Sequence, residues 1–297
     1  MTGALGADAT PQGKGGELFA LPFIFLRIQF DAWSGLLKFP ARPMSACVNK
    51  SREPIFNIPA VVVVVLAVLA IVHAGRVYLL SDEAGDLFIW KFGFVPARYQ
   101  WDELLFGGWE YGWAIWTFVT YAFIHADITH LGFNAIWLLA FGSAVARRFG
   151  TARFVAFFAL TSAAGAVAHL ISHIGDLQPM IGASAAISGT MGAAARFAFQ
   201  RGGPLDPWRP DREHAYRDPA PPLHVALRDP RVLAFLGAWF ALNLLFGIGS
   251  LSIVGEKQSI AWQAHVGGFL AGLLLFSAFD PVPPHRHRDD SAERMLH

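Results

Sequence analysis

The stretch Ile181-Gly182-Ala183-Ser184-Ala185-Ala186-Ile187-Ser188-Gly189-Thr190-Met191-Gly192-Ala193 decides how this chain is read. It is apolar enough for a membrane yet carries almost no bulk. Gly182, Ser184, Ala185, Ser188, Gly189 and Gly192 let neighbouring backbones come close. One hydroxyl, that of Ser184, sits within its first turn. Taken alone, the stretch reads as a tightly packed membrane helix whose serines bond back to their own backbone. Polar residues elsewhere in the chain change that reading.

Composition sets the setting. Of 297 residues, 54% are hydrophobic and 15% charged, against about a quarter charged in an ordinary soluble domain. A multi-pass membrane protein is the first expectation. A formal net charge of +1 gives no pointer to nucleic acid. The single cysteine, Cys47, excludes an internal disulfide framework and a cysteine-rich metal site. The Gly-rich start lacks the charged and apolar regions of a cleavable signal peptide.

Working outward, six spans are expected. They cover about Ala60 to Leu80, Ile124 to Ala146, Phe154 to Ile174, Gly182 to Phe199, Val232 to Ile253 and Ile260 to Phe279. Residues 1–56 read as an N-terminal extension whose segment 18–39 is interfacial or packed on protein. Residues 57–280 form the membrane domain, and 281–297 a His/Arg/Asp tail. Between the first two spans, 81–112 is a long acidic loop holding Trp90, Phe92, Phe94, Trp101, Phe106 and Trp109. Such aromatics concentrate at the membrane interface, so this loop is expected to fold partly into it.

Basic residues set the orientation. One set of loops holds Lys14, Arg27, Lys38, Arg42, Lys50 and Arg52, then Arg147, Arg148 and Arg153, then the arginines of 201–231, then Arg286, Arg288 and Arg294. The opposite set holds little beyond Arg76, Lys91, Arg98 and Lys257. Both termini are therefore expected in the cytoplasm. The pattern fits a bacterial inner membrane.

With that topology, His130 and Asn134 lie in the outer half of span two, Ser184 in the first turn of span four, and His265 about one turn into span six. At roughly 1.5 Å per residue the four share one layer within about 10–15 Å of the outer boundary. Ionisable groups at such depth are costly and default to functional candidates. Gly267, Gly268, Ala271 and Gly272 flank His265 much as glycines flank Ser184. A serine needs a base within hydrogen-bond reach to become a nucleophile, and His265 can be that base. The Ser184 N–H, near a helix N-terminus, and the i, i+4 pair His130 and Asn134 can supply donors to an oxyanion. No acidic residue lies in spans four and six, which carry Ser184 and His265, so the set is read as a Ser–His dyad.

On these residues the chain resembles the rhomboid family of intramembrane serine proteases. The matching pieces are Trp116-Thr117-Phe118-Val119-Thr120, His125 through His130-Leu131-Gly132-Phe133-Asn134, Gly182-Ala183-Ser184, and Ala264-His265-Val266-Gly267-Gly268 with Gly272. The resemblance covers about residues 55–280. It implies an all-α, six-helix membrane bundle with Ser184 as nucleophile and His265 as base. It also implies an oxyanion site of His130, Asn134 and the Ser184 N–H. By the same resemblance the substrates are transmembrane proteins, cut within or beside their helices near the non-cytoplasmic face, without metal or cofactor. Loop 81–112 would be the half-submerged first loop, and span five the side of substrate entry.

Three positions depart from the family pattern. Ala185 replaces a usual glycine, and its methyl is expected to crowd the oxyanion site. Ser188 replaces an aromatic that packs on the histidine, leaving His265 to be held by another group such as Trp262 or water. Thr117 replaces an arginine.

Other polar residues have plainer readings. Ser188 faces the same side as Ser184 but lacks its helix-N-terminal place. His130 and Asn134 equally suit helix-to-helix bonding. His125 reads as an interfacial anchor for its loop. His169 and His173 lack the glutamate of a zinc-protease motif and read as an interfacial pair. His73 and Asn243 read as interior hydrogen-bonding residues, and Gly268-x-x-x-Gly272 as internal packing. Two other functions are consistent with a membrane bundle. One is an inactive relative that binds or escorts membrane helices. The other is a small transporter, for which the expected repeats and broken helices are missing.

Overall fold

The computed structural model describes residues 58–100, 114–199, 202–205, 212–247 and 261–283. The expected extension 1–56, residues 101–112 of the aromatic loop, the Glu256–Gln258 loop and most of the tail lie outside these residues. Among the described residues the chain is helical, with one isolated bridge, Phe94 to Met180.

Helix α1 runs Ala60–Leu79. Ser81 caps α2, Asp82–Phe92, accepting from the Ala84 N–H, and Asp82 and Glu83 sit in its first turn, where the helix dipole favours them. A short apolar helix follows, Ala114–Phe123. Helix α3, Ile128–Phe149, passes through a π-helical turn at Leu138–Gly142. It starts later than the sequence pattern placed it because Asp127 caps it, accepting the His130 N–H at 2.8 Å. It ends at Gly150, whose φ of 75° suits glycine.

Helix α4 spans Thr151–Ser172, α5 Ser184–Phe197, α6 Pro230–Gly247 and α7 Trp262–Phe279. Four helices, α1, α3, α4 and α7, are long and apolar enough to cross a membrane. The chain is a multi-pass membrane protein. Helix α5, at 14 residues, is about 21 Å long, short of a roughly 30 Å hydrocarbon core. The expected span from Gly182 to Phe199 is therefore a shorter helix entered through an irregular segment. Buried within protein, α5 needs no full crossing of its own: every residue from Ala185 to Phe197 is buried.

Small residues set how α5 meets its neighbours. A Cβ on Gly268 of α7 would lie 2.0 Å from the Ala185 carbonyl oxygen, and one on Gly272 2.0 Å from that of Gly189. The α5 and α7 backbones thus touch along two successive turns, the internal-packing arrangement expected of Gly268-x-x-x-Gly272. Helix α4 joins them: a Cβ on Gly267 would meet the Ala168 methyl at 2.4 Å. At the far end of the bundle Arg148 makes four hydrogen bonds. Its guanidinium grips Asp280 at 2.9 and 2.8 Å and donates to the Tyr216 and Asp218 carbonyls at 3.1 and 2.9 Å. It also lies over the Phe197 and Phe276 rings.

Candidate active site

Ser184 is the first residue of α5. The segment leading to it is pinned on both sides. Phe94 and Met180 exchange backbone bonds of 3.0 and 2.8 Å, and the Ala97 N–H donates to Asp176 at 2.9 Å. The Gly182 N–H then donates to the Tyr121 carbonyl at 3.0 Å. Gly182 has φ +117°, a conformation side-chain-bearing residues rarely adopt. A turn that sharp ends the descending segment and starts the helix with Ser184 at its tip. The N–H groups of this first turn have no acceptor within the helix and lie at the positive end of its dipole.

The serine meets the histidine directly. Ser184 Oγ lies 2.7 Å from His265 Nε2, on α7. The other ring nitrogen, Nδ1, lies 2.7 Å from Asn243 Oδ1, on α6. Asn243 in turn donates from Nδ2 to the Trp239 carbonyl at 3.0 Å. The group holding His265 is thus Asn243, not Trp262. The sequence marks Asn243 only as an interior amide; the signal for more is that it is a lone amide in a largely apolar span.

His130 packs against Gly182. A Cβ at Gly182 would stand 2.6 Å from His130 Nε2 and 3.8 Å from Ser184 Oγ. The imidazole takes the room a methyl would need, which brings it to the same glycine as the serine hydroxyl. Asn134 is buried, and its amide nitrogen donates to the His130 carbonyl at 2.9 Å, back along its own helix.

Three expectations are corrected. His125 is fully buried rather than interfacial. Its carbonyl accepts from His73 at 3.2 Å and Arg76 at 2.9 Å, and its Nε2 faces the Ala183 N–H at 3.5 Å. It supports the turn before Ser184 from beneath. The Ala185 methyl does not point at the oxyanion space. It faces α4, where a Cβ on Gly165 would come within 2.5 Å of it. His169, expected at the interface, is buried and stacks on His173 with centroids 4.1 Å apart.

The preceding loop is rigidly held. Phe94, Tyr99, Phe118 and Tyr121 pack ring on ring. Tyr99 donates to the Ala114 carbonyl at 2.6 Å and is bonded to Thr117, and burial raises its phenol pKa. Thr117 is thus a neutral, buried partner that also donates to the Ala114 carbonyl at 2.7 Å. Among the described residues no three His, Cys, Asp or Glu side chains gather closely enough to hold a metal ion.

The Rhomboid domain model matches residues 112–279, more than half of the chain. The chain belongs to the rhomboid family. It is 28% identical to the rhomboid protease GlpG of Enterobacter sp. (strain 638) over 174 residues, which is 56% of this chain and 51% of that protein. It is 37% identical to the rhomboid protease GluP of Bacillus subtilis (strain 168) over 78 residues, 26% of this chain and 15% of that protein. The chain thus spans about half the length of one curated relative and less of the other. The matched region of this rhomboid contains Ser184, His265, Asn243, His130 and Asn134.

Proposed function

We propose that this rhomboid is an intramembrane serine endopeptidase that cleaves transmembrane proteins near the non-cytoplasmic face. The observation that carries the reading is the 2.7 Å contact between Ser184 Oγ and His265 Nε2. As Ser184 Oγ bonds to the scissile carbonyl carbon, its proton passes to His265 Nε2. The carbonyl oxygen becomes an oxyanion, received by the first-turn N–H groups at Ser184 and by His130. Asn134 contributes to the oxyanion site by rotating its amide away from the His130 carbonyl, or holds the His130 turn if it stays. The C–N bond breaks as His265 returns the proton to the leaving amine. Water then repeats the sequence on the acyl-enzyme and frees Ser184.

The membrane domain is taken as 57–280, with six spans, both termini cytoplasmic, an N-terminal extension of 1–56 and a tail of 281–297. The setting is the bilayer of a bacterial inner membrane. The basic loops and the two bacterial relatives named as proteases support this. The reading of an inactive helix-binding relative drew its support from Ala185 and Ser188. The Ala185 methyl faces Gly165, and His265 is held by Asn243 without an aromatic at position 188, so that support is weak.

The test is cleavage in proteoliposomes of a model transmembrane substrate with Gly, Ala or Ser near its outer end. Such residues let a helix unwind into the extended form a protease needs. Cleavage by wild type, absent in Ser184→Ala and His265→Ala, is expected. Equal cleavage by Ser184→Ala would overturn the proposal.

A further inference from the structure

We propose that Asn243 is the positioning residue of His265, so that three helices rather than two build the working base. The inference rests on Ser184 acting as the nucleophile, and it goes beyond a Ser–His dyad. The hydrogen bonds fix their own direction. The Trp239 carbonyl can only accept, so the Asn243 group 3.0 Å from it is the NH2. That leaves Oδ1, an acceptor only, facing His265 Nδ1 at 2.7 Å. Nδ1 must then carry the proton of the neutral ring. Nε2 is left with its lone pair toward Ser184 Oγ at 2.7 Å, the form needed to take the hydroxyl proton. With the amide flipped, two carbonyl oxygens would face each other and Nδ1 would meet a donor.

A neutral imidazole in water prefers its proton on Nε2, which is the wrong form here. Asn243 holds the other tautomer and fixes the ring plane. When Nε2 accepts the Ser184 proton, the Nδ1–H still donates to Oδ1, so no bond is lost in the step. An amide suits the site because it accepts without bringing a charge into a span. The logic is that of the Cys–His–Asn proteases, reached on another fold. Trp239 completes the support by stacking on Phe269, one turn beyond His265, with centroids 4.2 Å apart.

The test combines three measurements on the detergent-solubilised full chain. Fluorophosphonate labelling rates are compared for wild type, Asn243→Leu and Asn243→Asp, with thermal midpoints alongside. Nitrogen NMR of histidine-labelled wild type then reads the tautomer of His265, its signal identified by loss in His265→Gln. We expect Asn243→Leu to label about tenfold slower or worse, Asn243→Asp to recover most of the rate because it keeps an acceptor oxygen, and wild-type His265 to be protonated on Nδ1. An Asn243→Leu protein of wild-type stability that labels at the wild-type rate would overturn the role of Asn243 and leave the Ser184–His265 reading standing. Should Asn243→Leu fail to fold, the wild-type spectrum decides, since a ring protonated on Nε2 overturns the proposal. Folded wild type that never labels overturns the protease reading instead, and the tautomer still reports on Asn243 separately.

Discussion

Replacing Gly268 by alanine adds one methyl, and the structure fixes where it goes. The new Cβ would lie 2.0 Å from the Ala185 carbonyl oxygen, whereas ordinary contacts begin near 3.4 Å. The α5 and α7 backbones must part locally by about 1.4 Å, because neither a carbonyl nor a Cβ can rotate away. Gly268 lies three residues after His265, and Ala185 directly follows Ser184. Half of that displacement would stretch the 2.7 Å Ser184–His265 contact to about 3.4 Å, and all of it to about 4.1 Å, past useful hydrogen-bond range. Misplacement on the order of 1 Å costs about 10²-fold in rate. Stability falls less. Overpacking costs about 1–3 kcal/mol, and exchanging glycine for alanine within a helix returns about 1 kcal/mol. Gly268→Ala should therefore remain folded in detergent, with a modestly lowered thermal midpoint and fluorophosphonate labelling reduced about a hundredfold. Gly272→Ala meets the same clash, 2.0 Å from the Gly189 oxygen, one turn farther from the serine. It should lose similar stability and less activity. Gly237→Ala, with nothing within 4 Å, should leave labelling unchanged and raise stability by about 1 kcal/mol. Wild-type labelling by Gly268→Ala would refute the claim that backbone contact sets the spacing of serine and base.

Further outcomes can be checked with the same material. Arg148→Met leaves the Asp280 carboxylate buried without its partner, both side chains being at most 8% exposed, and should cost about 3–5 kcal/mol in unfolding experiments. Ala185→Gly should not raise labelling, since the methyl faces Gly165, and should lower stability by about 1 kcal/mol from helix propensity alone. Gly182→Ala should abolish labelling, because its Cβ would stand 2.6 Å from His130 Nε2 at a backbone with φ +117°. Tyr121→Phe removes the buried bond to the Ser162 carbonyl, 2.8 Å long, and should cost about 1 kcal/mol with labelling retained.

Much of this was legible in the residues. Apolar runs marked the long spans, because burying side chains in lipid leaves little choice of composition. Ser184 and His265 stood out because polar groups among glycines are unusual at that depth. What the pattern could not give was direction. Asn243 was visible as an interior amide, but its role depends on which face of α6 meets α7. The sequence alone sets the Ala185 methyl at the oxyanion because its partner, Gly165, lies on a helix far away in sequence. Hydropathy makes helix α5 too long because it does not register the turn at Gly182. His125 looked interfacial since the sequence does not reveal that His73 and Arg76 of α1 bond to its carbonyl.

The most direct test of the whole account is the site of covalent modification. Purified wild type is treated with a fluorophosphonate and the adduct is located by peptide mass spectrometry. The account predicts a single adduct on Ser184, absent in His265→Ala. An adduct on Ser188, or none on folded protein, would contradict it.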